Sequence, residues 1–165
     1  MRMRTTSIIV GTVALSGSVV GSATALPAFT TSPKTTIAGP STPQADLTRV
    51  TVGRHATFDR IVFRFTRSTP GYRVQYVPQV IQDGSGLPVA LLGRRFLQIR
   101  FEPTLNGSSA GAAAALTPRF TTLRQLKRAG DFEGVITFGA GLSKRAGFRV
   151  FTLGSPRRVV VDVAH

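Results

Sequence analysis

From Thr48 onward the chain alternates apolar and polar residues with a period of two, the mark of half-buried strands. The run "DRIVFRF" (59–65) is the cleanest case. Ile61, Phe63 and Phe65 fall on one face, and Arg60, Val62 and Arg64 fall on the other. "RFLQIRFEP" (95–103) repeats the pattern, with Leu97, Ile99 and Phe101 opposite Gln98, Arg100 and Glu102. Further strands are predicted over 48–53, 71–77, 134–142, 147–153 and 157–163. In the last of these Val159, Val161 and Val163 share the face expected to point inward. Asp83-Gly84-Ser85-Gly86 reads as a tight turn, because glycine adopts positive φ without steric cost.

One stretch departs from the period of two. "TTLRQLKRAG" (121–130) places Leu123 and Leu126 three apart, opens on threonines suited to an N-cap and ends on Gly130. Those features predict a short helix. "NGSSAGAAAAL" (106–116) is low in complexity and is expected to be a mobile loop. Residues 26–46 are rich in Pro, Thr and Ser without an apolar period, which predicts a flexible tether ahead of a folded part at 47–165. The fold class that follows is all-β: a β-sandwich of two similar antiparallel sheets with one short helix.

Residues 1–25 fit an export signal. Arg2 and Arg4 precede a mildly apolar stretch, and Ala23-Thr24-Ala25 supplies small residues before Leu26. The stretch is broken by Gly11, Ser16, Gly17 and Ser18, which favours cleavage over a permanent anchor. The expected product is secreted to the cell envelope with no integral membrane segment left. Without Arg2 and Arg4 the chain carries 19 basic and 7 acidic residues, a formal charge of +12. That charge predicts attraction to polyanions. For an exported protein these are wall polymers or anionic lipid, and no nucleic acid partner is expected. The chain has no cysteine, which excludes disulfides, thiolate metal sites and a cysteine nucleophile.

An internal echo links two stretches. Phe58–Val74 and Phe132–Val150 both begin Phe-acid, pass through a strand and a basic loop, and restart as Gly-aromatic-Arg-Val. Arg73 and Arg149 thereby become equivalent, and the pattern suggests a duplicated hairpin. "FDRIVFRF", "GYRVQYV", "DFEGVITFGAGL" and the closing "FRVFTLGSPRRVVVDV" together resemble the AMIN-like domain of secreted actinobacterial proteins, a relative of the AMIN domain of cell-wall amidases. The resemblance spans 47–165. It implies a two-sheet fold and a non-catalytic envelope module, whose partner is a cell-wall polymer (peptidoglycan or an anionic glycopolymer) or an envelope protein. No amidase domain accompanies it in this chain.

Catalytic chemistry finds little purchase. His55 and His165 have no metal-ligand spacing, and "DGSG" lacks the strand-turn-helix setting of a serine nucleophile. Asp131 and Glu133 are the remaining carboxylate pair for a glycosidase-type site, and arginine pairing competes for both. No cofactor and no metal are expected. Binding rests on arginine, whose planar fork suits carboxylates and phosphates. The candidates are Arg60, Arg64, Arg73, Arg100, Arg149 and Arg158, with simple solvation of outer strand faces as the competing explanation for each.

Overall fold

The computed structural model describes residues 25–105 and 114–165. The segment read as an export signal and the low-complexity stretch 106–113 lie outside the described residues, apart from Ala25 at the end of the first. Among the described residues ten strands form: β1 (Lys34–Thr36), β2 (Asp46–Arg54), β3 (Phe58–Thr66), β4 (Gly71–Val77), β5 (Arg95–Glu102), β6 (Ala115–Leu116), β7 (Leu123–Phe132), β8 (Val135–Leu142), β9 (Phe148–Leu153) and β10 (Arg158–Ala164). They build two antiparallel sheets, ordered β2-β3-β10-β9 and β1-β4-β5-β8-β7-β6. The predicted apolar faces meet in one shared core. Phe63 and Phe65 of the first sheet lie 4.7 and 5.1 Å, centroid to centroid, from Phe101 of the second. Ile61, Val159, Val161 and Val163 join Leu97, Ile99 and Phe138 in the same cluster.

The expected helix at 121–130 is absent, and the described residues contain no helix. Most of that stretch belongs to β7, paired along its length with β8. The helical reading rests on Leu123 and Leu126, three apart and both buried. In a regular strand a spacing of three would send alternate residues to opposite faces. A register shift between Leu123 and Gln125 adds a residue, so both leucines return to the core; a second shift lies between Arg128 and Gly130. Tertiary pairing overrides a pattern that local spacing alone assigns to a helix.

The stretch read as a tether is also laid onto the fold. Thr30 exchanges backbone hydrogen bonds with Phe148, β1 pairs with β4, and the Pro43 carbonyl accepts from the Ser68 hydroxyl at 2.6 Å. A three-residue polar strand has too short a pattern to stand out from a linker. It nevertheless satisfies the backbone groups of the exposed β4 edge.

The two sheets are images of each other, but the repeated unit is not a hairpin. β3 and β4 lie in different sheets, and so do β8 and β9. The true pairs are β2–β3 with β4–β5, and β7–β8 with β9–β10. Exchanging these units turns the order β2-β3-β10-β9 into β7-β8-β5-β4, which is the centre of the larger sheet. With Arg73 placed on Arg149, the cross-strand rows also coincide. Gly53–Arg60–Asp162–Arg149 matches Gly130–Thr137–Arg100–Arg73, and the inward row Ile61–Val161–Val150 matches Phe138–Ile99–Val74. The two Phe-acid pairs do not correspond. Asp59 is buried in β3, whereas Glu133 sits exposed in the turn between β7 and β8.

Residues 78–94, between β4 and β5, lie as a strap over the outer face of β8. The turn at Gly84 and Gly86 is formed with positive φ at both glycines. Two further glycines let the strap close onto the sheet. A Cβ on Gly139 would stand 2.8 Å from Leu91, and one on Gly141 would stand 2.0 Å from the Leu92 carbonyl oxygen. The second obstacle is backbone and cannot rotate away. Gly141→Ala is therefore expected to destabilise by about 1–3 kcal/mol, seen as a fall of roughly 3–10 °C in the thermal midpoint. Gly154→Ala, with nothing within 4 Å of its Cβ, is the control and should leave the midpoint unchanged.

Candidate functional site

The alternation of β3, β9 and β10 sends Arg60, Arg149 and Asp162 to the outer face of the four-stranded sheet, where the pairing sets them side by side. Arg60 donates from Nε to Asp162 Oδ1 at 2.6 Å and from Nη2 to Oδ2 at 2.9 Å. Arg149 Nε donates to the same Oδ2 at 2.9 Å. The Asp162 side chain has 0% exposure, against 27% and 13% for the two arginines. Aromatic rings screen the triplet from water. The Arg60 guanidinium carbon lies 5.1 Å from the Phe58 centroid and 5.5 Å from that of Phe151. That of Arg149 lies 4.4 Å from Phe29. Bonding to Asp162 holds the Arg60 pKa above its ordinary value, against the lowering by burial. Both arginines are thus engaged by the protein's own carboxylate.

The other predicted arginines separate into two places. Arg64 and Arg158 pair across β3 and β10 on the outer face of the same sheet, and Arg49 of β2 adjoins Arg64. Arg73 and Arg100 pair across β4 and β5 on the outer face of the other sheet. Arg73 therefore lies on a different sheet from Arg149 and Arg158. The six candidates do not converge on one site.

The convergence lies elsewhere, on loops and strand ends. At the end of the larger sheet where Arg95 pairs with Leu142, and Leu142 with Leu123, two neighbouring hollows share Arg94. One, of 290 Å³, is lined by Arg94, Arg95 and Arg145 with Tyr76 and Phe96. The other, of 750 Å³, is lined by Arg94, Arg119 and Arg124 with Leu92 and Ser143. Among the described residues no acid lines either hollow. Two of the guanidiniums rest on backbone carbonyls: Arg95 donates to Arg94 at 2.8 Å, and Arg124 donates to Phe120 at 3.0 Å. Arg145 is stacked 4.5 Å above the Tyr76 ring. Tyr76 is fixed in turn, its hydroxyl donating to the Ala146 carbonyl at 2.7 Å and accepting from the Ala146 amide at 2.9 Å. Burial pushes the Tyr76 pKa up, so the phenol stays neutral beneath the cation. Five arginines thus line the two hollows with no acid among the described lining residues, a donor set chemically suited to anions. Alternation along strands gives no access to these residues. For four of the five the signal was available in the short basic segments "GRRF", "TPRF" and "LSKRAG"; Arg124 lies outside them, in β7.

A family model described as the AMIN-like domain matches residues 45–165. The chain belongs to the AMIN-like domain family. No match was found among curated proteins or among solved structures. The family places the protein among cell-wall-associated binding modules.

Within this AMIN-like domain the residues weighed for catalysis hold structural posts. Asp131 is ion-paired with Arg128. His55 stacks on Phe58 at 4.4 Å, and Ser85 bonds the Gln82 side chain in the strap turn. His165 is held by both its side chain and its backbone. Its Nε2 lies 3.0 Å from Asp59 Oδ1, and its backbone amide donates to Thr57 at 3.0 Å. Asp162→Asn should expose the weight of the ion triplet, since it leaves two guanidiniums over a neutral amide. An expected loss of about 3 kcal/mol in denaturant unfolding follows. Arg64→Gln, on the same face but exposed, should change stability by less than about 0.5 kcal/mol.

Proposed function

We propose that this AMIN-like domain is an exported, non-catalytic module that attaches to the cell wall by recognising peptidoglycan or an anionic polymer linked to it. The observation that carries the reading is the pair of hollows around Arg94, with five arginines and no acid in their lining. Family membership supports wall association, and the excess of basic residues over acidic ones supports an anionic target. Guanidiniums supply paired donors in a plane, which grip carboxylate or phosphate oxygens two at a time. The ordered backbone acceptors beneath Arg95 and Arg124 hold those forks in place before a ligand arrives, which lowers the entropy lost on binding.

The test is sedimentation of the purified protein with isolated wall sacculi, with and without their covalently attached anionic polymers. The wild-type chain should pellet at low salt. A triple Arg94→Gln, Arg124→Gln, Arg145→Gln variant should lose at least about tenfold in the apparent affinity, because hydrogen bonds to charged groups are the stronger class. Release of new reducing ends or free amines from the wall is not expected. Failure to pellet, or retention unchanged in the triple variant, contradicts the reading. So does release at moderate salt that ignores wall composition, since that is screened attraction alone.

A further inference from the structure

The duplicated rows allow one sheet to interpret the other. In the four-stranded sheet the row Arg60–Asp162–Arg149 is electrically complete, with one carboxylate gripped by two guanidiniums at 2.6–2.9 Å. In the larger sheet the matching row is Thr137–Arg100–Arg73. Arg100 stands where the acid stands in the sister row, directly opposite Arg73. Two cations facing each other across strands cost stability, and this row has no acid to offset them. Arg73 bonds only the Gln75 amide oxygen, at 3.0 Å, and Arg100 has no hydrogen-bond partner among the described residues. Both arginines are exposed. Beside Arg100 the Thr137 hydroxyl is buried and unpartnered among the described residues.

The same two arginines line a groove of 640 Å³ between the outer face of β4–β5 and the chain that follows β1. Thr35, Thr36 and Tyr72 add polar and aromatic wall, and Glu102 lies on the strand face of Arg100, two residues on. We propose that Arg73 and Arg100 receive the free carboxylate of a peptide end, which supplies from outside the negative charge that Asp162 supplies within the sister row. Glu102 accepts an N–H of the same ligand. This pairing of chemistries selects the ligand class. A carboxylate carries one negative charge in a plane that matches the guanidinium forks. A phosphate dianion would place a second charge beside Glu102, where like charges repel. A peptide end has its carboxylate and its last amide N–H close together, as Arg100 and Glu102 are.

This groove is distinct from the hollows around Arg94, so its test separates from that of wall attachment. Titrations of the full chain, followed by amide NMR shifts, would use N-acetyl-alanyl-alanine, its C-terminal amide and inorganic phosphate. The free acid should shift residues of β4 and β5, and the amide and phosphate should not. Arg73→Gln should weaken the acid by at least about tenfold. Arg100→Asp restores the acid of the sister row, so it should abolish binding while leaving the thermal midpoint equal or higher. Glu102→Gln should narrow the preference for the acid over phosphate. The Arg94, Arg124, Arg145 triple variant should bind the acid unchanged. Equal binding of acid and amide, preference for phosphate, or retained binding in Arg100→Asp would each overturn the proposal. A lowered midpoint in Arg100→Asp would do so as well, because it would mean that the row does not seek an acid.

Discussion

A carboxylate sealed from water must find donors or it unfolds its surroundings, and Asp59 has 0% exposure. Its position explains why the two sheets stay joined at one end. Oδ2 accepts the amides of Thr122 and Leu123, both at 2.8 Å, where the chain enters the larger sheet. Oδ1 faces His165 at the end of the chain. One side chain of the smaller sheet thus fixes the first residue of β7 and the C-terminal segment. The apolar core holds the layers together without direction. Asp59 supplies the direction, and with it the placing of Arg119 and Arg124 on either side of the Thr122 amide.

The second buried acid, Asp162, marks where the two matching sheets differ. Both halves keep the inward apolar row, since any change there leaves a void or a clash. The outward row is free to vary. In one sheet it is a closed ion triplet under aromatic rings, and in the other it opens as a pair of arginines beside a groove. The strap over Gly139 and Gly141 adds to the asymmetry by covering the β8 side of the larger sheet and leaving β4 and β5 accessible.

Strand character was legible because it depends on residues two apart. The span 71–77 was read to its limits, and the inward sets of β3, β5 and β10 were read residue by residue. What alternation lacks is any label for the sheet that a strand joins. Arg73 and Arg149 share a local motif yet lie on different sheets, because the chain crosses between layers in the loops after β3 and β8. β7 was misread for a related reason: its bulges form only against β8, and their sequence trace is a spacing of three. Asp59 and His165 meet across 106 positions, and no local pattern encodes that contact. The arginines of the two hollows come from loops (Arg94, Arg119, Arg145) and from the first residues of two strands (Arg95, Arg124), and their meeting follows from how the strand ends are brought together rather than from any local period.

The short β1 has a mechanical meaning. Upstream of it, Thr30 is bonded in both directions to Phe148 of the four-stranded sheet, at 3.1 and 2.8 Å. β1 itself is registered against Tyr72, Arg73 and Val74 of the other sheet. Tension applied to the chain ahead of Thr30 therefore pulls on both layers in sequence. It meets first the Thr30 bridge and then the β1–β4 ladder, before the core is loaded. Since β1 borders the groove beside Arg73, a pull on the chain would load the same β1–β4 hydrogen bonds that hold one wall of that groove in place.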